Sequence, residues 1–91
     1  MDPDFDLTTD EGRMEFVKHI CFEMFDAEGE VITPNLDLYD LEVDSIAKVE
    51  IAMWVEDTIR QQGFDVRLST EEVDNVYTIQ DLLDLIKEKI G

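Results

Sequence analysis

The sequence has few residues of the kinds that build disulfides, metal sites or nucleic-acid interfaces. Its 91 residues include one cysteine and one histidine, and only 7 basic residues stand against 24 acidic ones, a formal net charge of −17. A lone cysteine, Cys21, excludes an intramolecular disulfide and a cysteine-based zinc site. His19 has no cysteine or histidine at metal-ligand spacing and no obvious nucleophile nearby, so we predict neither a metal centre nor an enzyme.

The shortage of positive charge also excludes classes of partner. The chain has few of the lysines and arginines that contact phosphate backbones of nucleic acids, and the anionic surface of cytoplasmic membranes would repel it. No apolar run is long enough to span a bilayer, and the N-terminus MDPDFDLTTD is unlike a signal peptide. We expect a soluble, cytoplasmic monomer whose partners carry basic patches, with no nucleic acid bound and no membrane insertion.

The apolar residues are numerous and periodic, which predicts an ordered domain in spite of the charge. Hydrophobic residues make up 44% of the chain and recur at helical spacing. We predict an all-α fold, a four-helix bundle with a short third helix and a long loop between helices 1 and 2. The first helix is expected over about residues 9–27, opened by a capping box of Thr8 and Glu11. Residues 1–8 are expected to form an acidic flexible tail, and residues 9–91 the folded domain.

Capping residues mark where the other helices begin. Serine, threonine and aspartate accept hydrogen bonds from the free N–H groups of a first turn, and a glutamate three positions later completes a capping box. The last helix also carries an apolar stripe that includes Ile79, Leu82, Leu83 and Ile86. These signals predict helices over about residues 45–60, 70–76 and 79–90, with N-caps at Asp44, Ser69 and Thr78.

The N-terminal acids resemble the start of an EF-hand calcium loop, because acids and a threonine alternate from Asp2 to Asp10. However, the sixth loop position holds Leu7 instead of glycine, and the twelfth holds Arg13 instead of the bidentate glutamate. An acidic tail therefore explains the segment better than a calcium-binding loop does. A calcium sensor stays an alternative function.

The junction between the long loop and helix 2 is the segment that carries chemistry. Ser45 lies in the first turn of a predicted helix, directly after the acidic N-cap Asp44. Free N–H groups and the positive end of the helix dipole favour an anion there, and the junction leaves the hydroxyl accessible to a modifying enzyme. Serine and aspartate are ordinary capping residues, so the pair alone indicates a phosphodiester site only weakly.

The wider context of this serine resembles the Asp-Ser-Leu signature of acyl carrier proteins. The segment LEVDSIAKVEI at 41–51 carries the match, which extends over about residues 9–90 and includes a Thr-Ile-x-x-Leu-Leu motif at 78–83. The resemblance implies a carrier and not an enzyme. Ser45 would carry 4′-phosphopantetheine covalently, attached by a phosphopantetheinyl transferase that uses coenzyme A, and Asp44 would assist recognition and metal-dependent transfer.

The resemblance also implies two surfaces. One is the exposed side of helix 2, which in the family docks onto basic patches of acyl-transferring or condensing enzymes. Its expected residues are Ile46, Glu50, Met53, Trp54, Glu56 and Asp57. The other is a pocket between helices 2 and 4 into which an acyl chain could fold back. Its expected residues are Ile51, Val55, Ile59, Leu82 and Leu83.

The sequence departs from the family pattern near the signature. Glu42 replaces the glycine that usually follows leucine before Asp-Ser, Lys48 interrupts an acidic surface, and Trp54 replaces a smaller side chain. These departures favour a specialised carrier with dedicated partners. The implied function is delivery of a thioester-linked acyl group in fatty acid, lipid or polyketide biosynthesis. The alternatives are an aminoacyl or peptidyl carrier, and an unmodified acidic helical adaptor.

Overall fold

The computed structural model describes residues 5–90, and it confirms the predicted helical bundle with its short third helix. The helices are α1 (Asp10–Phe25), α2 (Ser45–Gln61), α3 (Thr70–Asp74) and α4 (Ile79–Ile90). Two 3-10 helices, Gly29–Val31 and Leu38–Leu41, lie in the long loop between α1 and α2. Within the described residues no segment forms a β-strand, so the fold is all-α.

The first helix is capped by a different threonine from the one predicted. Thr9 has the extended backbone of an N-cap, and its Oγ1 accepts the N–H of Gly12 at 3.0 Å, so the predicted capping box at Thr8 is wrong. The helix ends at Phe25, because Asp26 adopts the left-handed conformation with φ 55° and its N–H bonds back to carbonyls of the last turn.

The chain joins the core before the predicted start of the domain. Leu7 is fully buried, and the ring of Phe5 lies 5.4 Å from the ring of His19. The buried guanidinium of Arg13 donates from Nη1 to the carbonyl of Leu7 at 2.8 Å and so fixes this segment to α1. The described part of the predicted flexible tail is therefore packed, whereas residues 1–4 of that tail lie outside the described residues.

The core brings together side chains from α1, α2, α4 and the segments that connect them. On α4 the buried stripe differs from the predicted one, because Leu85 is buried and Leu83 is only half-buried. Adjacent positions point about 100° apart around a helix, so Leu83 is turned away from the direction of Leu82. The fully buried side chains are Leu7, Phe16, Val17, Ile20, Cys21, Val55, Ile59, Ile79 and Ile86.

Backbone hydrogen bonds fix the long loop to the start of α4. The N–H of Leu38 donates to the carbonyl of Tyr77 at 2.9 Å, and the N–H of Ile79 donates to the carbonyl of Leu36 at 3.0 Å. The side chain of Leu38 is buried, while those of Leu36 and Leu41 are partly buried against the core. The loop is thus anchored by its leucines.

The predicted caps of α3 and α4 are confirmed. Ser69 and Glu72 exchange two hydrogen bonds of 3.1 Å, and Thr78 and Asp81 do the same at the start of α4. Lys89 Nζ also lies 2.6 Å from Glu72 Oε2, which ties α3 to α4. Hydrogen bonds from Lys89 and then Ser69 lower the pKa of Glu72, so its carboxylate stays charged and keeps both contacts.

Replacing Leu7 tests whether the segment before α1 belongs to the folded domain. We expect Leu7→Ala to lower the free energy of unfolding by about 2–5 kcal/mol, as is usual for a leucine removed from a packed core. The measurement is urea denaturation followed by circular dichroism. Thr8→Ala is the control, because the neighbouring Thr8 is exposed. Equal, small effects of the two variants would show that residues before α1 do not contribute to the core.

Candidate functional site

The candidate site is centred on Ser45, the first residue of α2, whose side chain is exposed. Asp44 is the N-cap, as predicted: its Oδ1 accepts the N–H of Ala47 at 2.8 Å and its carbonyl accepts the N–H of Lys48 at 3.0 Å. The N–H groups of Ser45 and Ile46 lie in the first turn and have no acceptor within the helix. This end of the helix therefore carries partial positive charge beside the hydroxyl.

The loop before Ser45 makes a reversal that glycine would make more easily. Glu42 adopts the left-handed conformation with φ 61°, and its N–H bonds back to the carbonyls of Leu38 and Tyr39. A non-glycine residue pays about 1–2 kcal/mol for this conformation. Val43 then inserts into the core, which directs the next two residues to the surface. The loop thus keeps the backbone reversal although glycine is missing from the signature.

An apolar stripe runs along the exposed side of α2 from the serine. Ile46, Val49 and Met53 are 72%, 50% and 60% exposed, and their spacing of three and four residues places them on one face. Glu50 and Asp57 are exposed as well and add negative charge. We call these five residues the α2 surface. Val49 was not among the predicted docking residues, although its spacing from Ile46 and Met53 was the signal that could have identified it.

Two of the predicted docking residues are engaged elsewhere. Trp54 is half-buried, and its ring meets the ring of His19 edge to face with 5.9 Å between centroids. Glu56 is also half-buried: its Oε1 lies 3.0 Å from Arg60 Nη2, and its Oε2 accepts the N–H of Leu68 at 3.3 Å. Trp54 therefore packs α2 against α1, and Glu56 holds the chain that leads into α3.

An apolar cavity of about 20 Å³ lies between α2, α3 and α4. This volume suits about one water molecule. Of the predicted acyl-pocket residues, Ile51 and Leu82 line the cavity. Val55 and Ile59 are fully buried in the core, and Leu83 lines a separate open groove on another side of α4. The full lining is Leu38, Lys48, Ile51, Ala52, Leu68, Val73, Val76, Leu82 and Leu85.

The described residues show no sign of a reactive thiol, a metal site or a membrane-spanning helix. Cys21 is buried, and burial raises its pKa to about 11, so its thiol stays protonated near neutral pH. In residues 5–90 no three side chains of His, Cys, Asp or Glu are grouped so that they could hold a metal ion. None of the helices described is long and apolar enough to cross a membrane.

The acids of the calcium-loop resemblance have local partners where they are described. The Asp6 carboxylate accepts hydrogen bonds from the hydroxyl and N–H of Thr8, which lower its pKa. Asp10 forms an ion pair with Arg13. Asp2 and Asp4 lie outside the described residues. The described part of this segment is therefore the capped start of α1.

The arrangement suits a serine that another enzyme modifies. Ser45 offers an exposed hydroxyl at a helix start whose partial positive charge favours a phosphodiester, and the surroundings leave space for a long substituent. These features fit the 4′-phosphopantetheine group that the sequence suggested, with Ser45 Oγ as the atom that would hold it.

Two substitutions of Asp44 separate its capping role from its charge. We expect Asp44→Ala to lower the free energy of unfolding by about 1 kcal/mol because α2 loses its cap, while Asp44→Asn changes it by only a few tenths since asparagine caps equally well. Chemical denaturation of both variants provides the measurement. Equal destabilisation by the two substitutions would contradict the capping role seen here.

Comparison with known proteins agrees with this site. The family described as "Phosphopantetheine attachment site" matches residues 15–86. The acyl carrier protein of Buchnera aphidicola subsp. Acyrthosiphon pisum (strain Tuc7) is 34% identical over 76 residues, 82% of this chain and 89% of that protein. The acyl carrier protein of Thermosynechococcus vestitus is 32% identical over 79 residues, 86% of this chain and 91% of that protein. This chain therefore belongs to the acyl carrier protein family, whose cofactor is covalently attached 4′-phosphopantetheine.

Proposed function

We propose that this protein carries an acyl group as a thioester on a 4′-phosphopantetheine arm at Ser45 and delivers it to enzymes of fatty acid, lipid or polyketide biosynthesis in the cytoplasm. The observation that carries the proposal is the exposed Ser45 hydroxyl at the start of α2, directly after the N-cap Asp44. A phosphopantetheinyl transferase is the proposed modifying enzyme, with coenzyme A as the donor of the arm.

The start of α2 would stabilise the phosphodiester without taking part in catalysis. The N–H groups of Ser45 and Ile46 have no acceptor within the helix, so they and the helix dipole favour the negative charge on the phosphate oxygens of a phosphodiester attached to Ser45. The arm supplies a terminal thiol that holds the acyl group. A tethered group meets each partner enzyme at a high effective concentration, and this is the advantage of a carrier.

The α2 surface is the proposed docking site for the transferase and for acyl-handling enzymes. Its apolar stripe begins beside Ser45, so a bound partner would lie next to the arm. Glu50 and Asp57 would steer partners with basic patches and give fast, salt-sensitive association. Trp54 and Glu56 were predicted for this role, but their contacts with His19 and Arg60 support a structural contribution.

The cavity between α2, α3 and α4 is the proposed place for a folded-back acyl chain. Ile51 and Leu82 line it and give it an apolar wall, but its volume of about 20 Å³ is too small for an alkyl chain. Sequestration of cargo would therefore require α2, α3 or α4 to move apart.

The two alternative functions differ in whether Ser45 carries an arm. An aminoacyl or peptidyl carrier would hold a different cargo on the same arm. We favour an acyl carrier because Asp44 and the net charge of −17 are more typical of acyl carriers than of aminoacyl or peptidyl carriers. An unmodified acidic adaptor would use the α2 surface and need no arm. The mass of the modified protein separates the adaptor from both kinds of carrier.

The two serines of the chain provide a matched test of the attachment site. After incubation with coenzyme A and a broad-specificity phosphopantetheinyl transferase, we expect the wild type and Ser69→Ala to gain one phosphopantetheine. Ser45→Ala should gain none and still fold, since Ser45 is exposed. Intact-mass spectrometry and circular dichroism provide the measurements. A wild type left unmodified by several transferases would overturn the carrier function.

Charge reversal on the α2 surface tests docking. We expect Glu50→Lys to reduce kcat/KM of the transferase by about tenfold, with the loss shrinking at high salt, because screening weakens interactions between exposed charges. The free energy of unfolding should change by less than about 0.5 kcal/mol, as for most surface substitutions.

Glu88→Lys is the control for this docking test. Glu88 is an exposed acid in the last turn of α4, near the end of the bundle where Lys87 and Phe64 line one groove. Glu88→Lys should leave kcat/KM of the transferase unchanged. Equal losses with both variants would show that net charge, and not the α2 surface, controls docking.

A further inference from the structure

We propose that Lys48 is the cationic contact of the phosphodiester at Ser45, and that its move from the ring of Tyr77 to this phosphate uncovers the cavity between α2, α3 and α4. The inference rests on the proposed attachment at Ser45. It adds a role for a lysine that stands out on an acidic helix, and it links attachment of the arm to access for the cargo.

The charge of Lys48 is not neutralised by a carboxylate in the described chain. Three ion pairs join residues within 5–90, and none of them includes Lys48. Its Nζ lies instead 4.7 Å from the centroid of the Tyr77 ring, which is 59% exposed. A cation on an exposed aromatic ring is held weakly, so the ammonium is available to a stronger partner.

Helical spacing places this ammonium within reach of a group on Ser45. Residues three apart are neighbours on a helix surface, with about 5–6 Å between Cβ atoms, and the four-carbon stem of lysine spans that distance. The other basic residue of α2, Arg60, is paired with Glu56 and lies about 22 Å from Ser45 along the helix. Lys48 is therefore the cation of α2 that can contact the phosphodiester.

A phosphate on Ser45 would compete successfully with Tyr77 for Lys48. Hydrogen bonds between an ammonium and a phosphate oxygen are charge-assisted and short, and they are stronger than contact with an exposed ring. Asp44 lies four residues before Lys48, but the two side chains form no ion pair, and Asp44 Oδ1 accepts the N–H of Ala47. Attachment of the arm thus favours transfer of the ammonium toward Ser45.

The same movement changes the cavity, because Lys48 is the one charged residue in its lining. The stem crosses from α2 toward Tyr77, whose carbonyl is bonded to the N–H of Leu38, another lining residue. Withdrawing the stem removes one wall from a space that now suits about one water molecule. The unmodified protein would therefore keep the cavity covered, and the modified protein would open it beside the arm.

The test compares unmodified and fully modified protein by NMR, with intact mass reporting the extent of modification. Protons of the Lys48 ε-methylene should be shifted upfield by the ring of Tyr77 in the unmodified wild type and in no state of Tyr77→Leu. We expect modification to remove the upfield shift and to move the methyl signals of Ile51 and Leu82. The phosphorus resonance of modified Lys48→Met should differ from that of the wild type, whereas Arg60→Met should leave it unchanged.

Each result has a separate meaning. If the mass shows complete modification and the Lys48 protons keep their upfield shift, the role of Lys48 is overturned while the carrier function stands. A phosphorus resonance that is the same in Lys48→Met and wild type, or lining methyl signals that do not move, would overturn it as well. If Ser45 is never modified, both proposals fail together.

Discussion

The hydrogen bonds between the α1–α2 loop and the start of α4 are the interaction on which the site depends. They join Leu38 to Tyr77 and Ile79 to Leu36, so the long loop is held in one conformation although it contains no β-strand. That position determines where α2 begins and brings Ser45 to the surface. It also places Tyr77 opposite Lys48 and Leu38 in the wall of the cavity. One backbone junction therefore connects the proposed attachment site at Ser45, the side chain of Lys48 and the cavity between α2, α3 and α4.

The acidic residues, which dominate the composition, divide into groups with different physical roles. Asp44 and Glu72 cap helices, where a carboxylate satisfies N–H groups that would otherwise lack partners. Glu56 holds a loop through Arg60 and Leu68. Glu50 and Asp57 stay exposed beside the apolar stripe, so their charge is available to a partner. The net charge alone therefore suggests the kind of partner, and only the last group supports the proposed docking position on α2.

Local signals predicted most of the fold and the centre of the site. The predicted caps Asp44, Ser69 and Thr78 are confirmed, because a cap depends on residues within three or four positions. Thr8 matches the capping-box pattern because Glu11 follows three positions later, whereas Thr9 is followed there by Gly12. The cap is nevertheless Thr9, whose backbone is extended and whose Oγ1 accepts the N–H of Gly12. Glu42 takes a conformation usual for glycine, which a residue-type pattern does not show.

The sequence by itself determined the helices, the position of Ser45 at the start of α2 and the acidic, apolar character of the exposed face. These follow from periodicity and capping, which operate over one or two helical turns. Tertiary structure alone decided that Trp54 packs on His19, that Leu85 and not Leu83 lines the cavity, and that Lys48 lies on Tyr77. Each of these depends on how far one helix is rotated toward another, and helix rotation is set by packing between residues distant in the chain.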